Sequence, residues 1–303
     1  MYSIFHKNRQ QGFSLIELMI SMAIGLFLVV GVFTVYVNGR SSQKVVDDQV
    51  ALINNARFVL ETMSYDIRVA GVYGRVTEAH KVDTTLLPAV GGECVAGWVD
   101  NVNAPIMAFN DGNPYGGSCA TAYGTGDILE LRYTLKNPVA ALATNKVYIN
   151  SDVNKAVYFT GNASPAVSAT AKDYEAVTKA YYVSNYTNVA GDNLPSLHRV
   201  ALEPGPTVVD DVLLSGVEDL QIQIGLDSDD DNSIEKYVDP SAAIDWGAAK
   251  TVEIWLVVRS EDKYPDMNTS TSAIIAGVNR NFPNDGYRRM VVSSVAKLRN
   301  LQR

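Results

Sequence analysis

The 303-residue sequence predicts an α+β fold in which one long N-terminal α-helix packs on an antiparallel β-sheet. Three observations carry this expectation. Phe13–Val37 is an apolar run with a single charge, Glu17. Residues 46–71 then place apolar side chains at every third or fourth position. From Asp127 onward, short segments alternate apolar and polar residues between clusters of Gly, Asn, Asp and Pro.

The chain opens with a short polar segment, residues 1–12, carrying Lys7 and Arg9. The 25 residues of Phe13–Val37 would form a helix about 37 Å long, enough to cross a bilayer. Positive charge ahead of the span predicts that this end faces the cytoplasm and the bulk lies outside. A cleaved secretory signal has a shorter apolar core and a small-residue exit. Tyr36-Val37-Asn38-Gly39-Arg40 offers no such exit. A plain signal anchor fits the length but leaves Glu17 unexplained, because a carboxylate in hydrocarbon costs several kcal/mol unless something compensates it.

The helical period continues through Val46, Val50, Ile53, Arg57, Leu60, Ser64 and Ile67, broadened by Val45, Ala56, Val59, Met63 and Ala70. Asp47, Asp48, Asn55, Glu61 and Asp66 fall on the opposite, solvent-facing side of this stripe. Gly71 and Gly74 supply a stop, and Asn38-Gly39 is a weak point within. The expected organisation is a leader at 1–12, a membrane half of the helix at 13–37, an amphipathic half at 38–74 and a β-rich head at 75–303.

Residues 71–126 are rich in turn residues and read as long loops. Strands are expected at Asp127–Thr134, Lys146–Ile149, Ala156–Thr160, Ala180–Tyr186, Leu197–Leu202, Val208–Leu214, Val217–Gly225, Thr251–Arg259 and Tyr287–Leu298. The run Leu220, Ile222, Ile224 against Gln221 and Gln223 is the clearest alternation.

Cys94 and Cys119 are the only cysteines. Outside the cytoplasm a disulfide between them is the default, and its loop of about 25 residues would contribute roughly 3 kcal/mol by chain entropy. The alternatives are two free buried thiols or half a metal site, for which only His6, His80 and His198 are available.

The formal charge of −8 makes nucleic-acid binding by the bulk surface unfavourable, and loss of residues 1–12 would take it to −10. The basic residues near the end, Arg288, Arg289, Lys297, Arg299 and Arg303, alternate as a strand edge does. Asp227, Asp229, Asp231, Ser233 and Glu235 place oxygen side chains at every second position, the spacing of a calcium loop. Asn232 stands where such a loop needs Gly, and Val238 where it needs a bidentate Glu. A solvated acidic turn between strands is the plainer reading of the same residues. Catalytic motifs are absent from the sequence, and His80 and His198 have no sequence neighbours that would make either a base. The chain is therefore expected not to be an enzyme and to require no cofactor, with Ca²⁺ the one candidate ligand. Trp98, Trp246 and Trp255 read as core or interface aromatics.

Gly12-Phe13-Ser14-Leu15-Ile16-Glu17-Leu18 resembles the prepilin processing motif of type IV pilins and type II secretion pseudopilins. The resemblance implies a pilin-like fold and cleavage after Gly12 by prepilin peptidase, with methylation of Phe13. It also implies pairing of Glu17 with the N-terminal amine of a neighbouring subunit, which would satisfy both charges and set the helix register. Asp66-Ile67-Arg68-Val69-Ala70-Gly71, the acidic stretch after Gly225, and Arg289 with Lys297-Leu298-Arg299-Asn300 look like minor pilins of the PilW type. J-type pseudopilins share the first and last of these. The implied function is a non-catalytic subunit that helps initiate, assemble or cap a type IV pilus. The alternatives are a pseudopilin or a tip adhesin using the loops at 71–126. Implied partners are other minor and major pilins, prepilin peptidase, the inner membrane and the assembly platform. The implied location is a single inner-membrane pass with a periplasmic bulk, then the extracellular filament.

Overall fold

The computed structural model describes residues 12–76, 78–231, 233–241, 244–264 and 270–300. Apart from Gly12, the expected leader lies outside the described residues, as do His6, Asn232 and Arg303. The chain divides into two compact units at Ala51/Leu52.

The N-terminal unit is helical. Helix α1 (Leu15–Val69) begins here and runs unbroken through Asn38-Gly39, the expected weak point. Its apolar side chains from Phe13 to Val37 are exposed, and length and composition suffice to cross a membrane. Two hydroxyls inside this span are satisfied by the helix itself: Ser21 donates to the Glu17 carbonyl at 2.7 Å and Thr34 to that of Val30 at 2.9 Å.

The second unit holds the last turns of α1 and all the strands. These are β1 (Val82–Asp83), β2 (Ile106–Phe109), β3 (Tyr123–Thr134), β4 (Val147–Ser151), β5 (Ala156–Thr160), β6 (Lys172–Ser184) and β7 (Ser196–Glu203). They continue with β8 (Thr207–Ser215), β9 (Val217–Leu226), β10 (Lys236–Val238), β11 (Ala249–Arg259), β12 (Thr271–Ile275), β13 (Val278–Phe282) and β14 (Arg289–Lys297). Strands β1 to β8 form one sheet in the order β1-β5-β4-β6-β3-β2, with β7 on β6 and β8 on β7. A second sheet runs β10-β9-β11-β14, and β12 and β13 form a separate hairpin. All pairings are antiparallel except β1 with β5.

The fold is the expected α+β, but the expected single sheet is two. The chain leaves the first sheet at Gly216, whose φ of +76° turns β8 into β9; a side chain there would lie 2.5 Å from the Arg259 carbonyl oxygen. Strands β2, β10, β12 and β13 are short, three to five residues each, and their alternation is too brief to read. Strand β6 starts eight residues before the expected Ala180 because its first residues pair with β4.

One face of α1 closes the main core. Ala56, Val59, Leu60, Met63, Ile67 and Ala70 pack with Leu129, Leu131 and Tyr181 of the first sheet. The same cluster takes in Ile222, Ile254 and Leu256 of the second sheet, so the helix end covers both. The stop is as expected: α1 ends before Gly71, which has φ +83°.

The polar side of β3 is buried as well. Irregular chain covers it, and Arg132 meets Glu130 at 2.8 Å with both side chains out of water. Arg132 also donates to the Trp98 carbonyl at 2.6 Å and the Ala104 carbonyl at 2.8 Å, and Trp98 Nε1 donates to Glu130 at 3.2 Å. Nearby, Cys94 and Cys119 form a disulfide within a cluster that includes Trp98, Val99 and Tyr115.

Candidate functional site

The N-terminus of α1 is closed by a reciprocal pair. Ser14 Oγ accepts from the amides of Ile16 at 3.2 Å and Glu17 at 3.4 Å. The Ser14 amide in return donates to Glu17 Oε2 at 2.9 Å. This Ser-x-x-Glu capping box satisfies amides that would otherwise lack partners, and a carboxylate suits the positive end of the helix dipole. The three-residue spacing of Ser14 and Glu17 was the signal for it, and reading Glu17 only as a partner for another subunit passed it over. Phe13 and Gly12 lie immediately ahead of the box and are exposed.

Asp66 corrects the reading of the helix face. It was expected toward solvent, yet it is 2% exposed and receives three bonds from the first sheet. Tyr133 donates at 2.6 Å, Tyr181 at 2.5 Å and the Lys179 ammonium at 2.8 Å. Burial raises both phenols well above the ordinary tyrosine range, so they remain protonated donors. Phe58 and Tyr65 instead occupy the exposed side of the same helix.

The acidic loop connects β9 to β10. Asp227, Asp229, Asp231 and Glu235 bring one carboxylate oxygen each to within 4.8 Å of one another. Backbone amides hold the arrangement: Asp231 donates to Asp227 at 3.2 Å, Ser233 to Asp231 at 2.7 Å and Ser228 to Glu235 at 2.7 Å. The Lys250 ammonium lies 3.6 Å from Asp227 and 2.7 Å from Asp230, so part of the charge is already balanced. Four converging hard oxygens are a donor set that a calcium ion accepts.

A serine, a histidine and an aspartate also converge. His198 Nδ1 is 2.9 Å from Asp210 Oδ1, and its Nε2 is 3.3 Å from Ser196 Oγ. Ser196 is fully buried and donates to the Tyr186 carbonyl at 2.8 Å, which His198 Nε2 also faces at 3.1 Å. The hydroxyl is therefore engaged and out of reach of any substrate, and with Tyr182 donating to Asp210 at 2.5 Å the cluster ties β6, β7 and β8 together. His80 is exposed and lies 3.2 Å from Glu78.

Among the described basic residues near the end, Arg289 is taken up by acidic partners. Strand β14 is an edge strand, as the alternation predicts, but the side chain of Arg289 is 4% exposed. Its guanidinium bonds Glu218 at 2.6 Å and Asp285 at 2.6 Å. Those bonds hold the Asp285 carboxyl at a pKa of about 2.

Residues 180–300 match the family described as Type IV Pilus-assembly protein W, and residues 7–33 match the prokaryotic N-terminal methylation motif. The second match spans Gly12, Phe13 and Glu17. Among solved structures, a type IV-like pilin from Thermus thermophilus is similar at 11% identity, over 83% of this chain and 97% of its own, with a TM-score of 0.39. No curated protein sequence matches the chain.

Proposed function

We propose, from the match of residues 180–300 to the Type IV Pilus-assembly protein W family and of residues 7–33 to the N-terminal methylation motif, that the chain is a type IV pilus minor pilin of the PilW type, a non-catalytic subunit that helps a pilus to start, assemble or cap. It is cut after Gly12 by prepilin peptidase and methylated on Phe13. The observation that carries this reading is the state of Glu17. Its Oε2 is held by the Ser14 amide, while Oε1 has no hydrogen bond among the described residues. Cleavage after Gly12 would create an ammonium on Phe13, the residue immediately before that box, and Oε1 is the oxygen left to accept a neighbouring subunit's ammonium. The box survives cleavage, because the amide it uses joins Phe13 to Ser14. The apolar helix then passes from the bilayer into contact with other pilins, and the second unit stands outside the membrane. The pilus family match supports this machine over a type II secretion pseudopilus.

Mass spectrometry of the protein purified from its own cells tests the proposal. The expected chain starts at methylated Phe13. Native protein that keeps residues 1–12 would overturn it, and a Gly12→Val variant should remain uncut.

A second reading concerns the acidic loop, where the four converging carboxylates support a structural Ca²⁺ site in the head. Asp227, Asp229, Asp231 and Glu235 would hold the ion, and it would stiffen the β9–β10 hairpin.

A further inference from the structure

We propose that the free edge of β14 is a docking site for an extended, acidic segment of another polypeptide, which adds a strand to the second sheet beside α1. Strand β14 ends that sheet and pairs only with β11, in an unbroken register. The Ser260 amide donates to the Arg288 carbonyl at 2.9 Å, and the Leu298 amide to the Lys250 carbonyl at 2.8 Å. Even-numbered residues therefore bond toward β11, and the main-chain groups of Val291, Ser293 and Val295 point away from the sheet. None of these groups has a partner among the described residues. Ser293 is exposed and Val295 is 53% exposed, so the edge is open to a second strand.

Sheet edges are blunted by shortness, charge, proline or a bulge. Strands β1, β2 and β10 have two, four and three residues, and β8 carries Asp210 and Asp211. Strand β14 has nine residues, and its stretch from Val291 to Ala296 contains neither charge nor proline.

The helix beside this edge selects the occupant. Even-numbered side chains of β14 face α1: Ala296 and Leu298 join its core cluster, and the Ser294 and Ser64 hydroxyl oxygens lie 3.0 Å apart. Arg57 and Glu61 stand seven and three residues before Ser64 and Arg68 four after it, so all lie on one stripe of the helix. Arg57, Glu61 and Arg68 are exposed, and none has an ion pair among the described residues. Two guanidinium groups against one carboxylate favour Asp or Glu on the side of an added strand that faces α1. Lys297, exposed at the end of β14, adds a further cation. On the other face Val291 and Val295 favour β-branched partners. A second copy of β14 would set these arginines against their own equivalents, so charge selects a different strand. Main-chain pairing with alternate side chains read on two faces is β-strand addition.

The test uses the full chain in detergent micelles and a capped Val-Glu-Val-Glu-Val peptide, whose valines would pair with the edge and whose glutamates would face α1. Hydrogen exchange at the Ser293 and Val295 amides should slow by about tenfold or more on saturation. The same peptide with proline for every valine should give no slowing, and Val-Lys-Val-Lys-Val should bind at least about tenfold more weakly. A variant with both Arg57→Gln and Arg68→Gln should lose most of that preference. Val295→Pro, which deletes only an outward amide, should abolish binding while Tm holds. If that variant loses stability, the proline peptide on the unaltered protein decides alone. No slowing at about 1 mM probe, equal protection by the proline peptide, equal binding of the lysine peptide, or slowing that follows protein concentration without peptide would each overturn the proposal.

Discussion

The Asp66 carboxylate on α1 and the Tyr133 hydroxyl on β3 lie 2.6 Å apart, both buried. Their separation of 67 positions in sequence makes this a tertiary clasp, and Lys179 and Tyr181 complete it from β6. Removing the carboxylate leaves two buried phenols and the partly buried Lys179 ammonium without this acceptor. Asp66→Ala should therefore destabilise the head by about 3–5 kcal/mol, read as a fall in urea midpoint. A loss under about 1 kcal/mol would mean that the clasp contributes little beyond packing.

Ser14 and Glu17 allow the local cap to be separated from the proposed pairing. Glu17→Gln keeps an acceptor for the Ser14 amide and loses only the charge, whereas Ser14→Ala keeps the charge and weakens the cap by about 1 kcal/mol. Incorporation into surface pili should fall severely for Glu17→Gln and Glu17→Ala and modestly for Ser14→Ala, with head melting unchanged in all three. Normal incorporation of Glu17→Gln would leave the cap as the sole role of this residue.

The acidic loop should respond to calcium. Thermal melting of the full chain in micelles at millimolar Ca²⁺ should shift upward by several degrees, since a ligand at a hundred times its Kd adds about 2.7 kcal/mol. Asp229→Asn with Asp231→Asn should remove the shift. A melting temperature indifferent to calcium in the unaltered chain would leave a solvated turn.

Asp127 sits where the two sheets meet. Its oxygens accept from the amides of Asp111 at 3.0 Å and Ile222 at 2.7 Å, yet burial dominates and lifts its pKa from 3.8 to about 7. A raised folded-state pKa means that its stabilising contribution is full below pH 3.8 and lost as pH rises through about 7. Asp285, held at about 2 by Arg289, acts oppositely: its contribution is present above pH 3.8 and lost as pH falls through about 2. Carbon-13 titration of the Asp127 carboxyl should give a midpoint near 7. A midpoint in the ordinary aspartate range would show that the two amide bonds outweigh burial.

Gly126 precedes Asp127 with φ +78°, and a Cβ there would lie 2.6 Å from the Leu220 carbonyl oxygen. Gly126→Ala should cost about 2–4 kcal/mol through strain and separation of β3 from β9. Chemical denaturation measures it, and an unchanged midpoint would mean that the junction yields freely.

The sequence made the long periods legible. The apolar run, the stripe from Ala56 to Ala70 and the alternation of β9, β11 and β14 all survive because each repeats over many residues. Asp66 was not legible, since its partners at 133, 179 and 181 are too distant for any helical or strand period to link. The division into two sheets rests on the backbone turn at Gly216, one of several glycines that look alike in sequence. The acidic loop was readable by spacing alone.

The covered ion pair of Glu130 and Arg132 implies an order of events during maturation. Both charges leave water only once the irregular stretch bearing the crosslinked cysteines has settled over β3. A covalent tie shortens the search that stretch must make, so oxidation and desolvation are coupled on that flank. Secretion without an oxidant should thus yield a half-finished molecule, closed on its helical side and wet on the other.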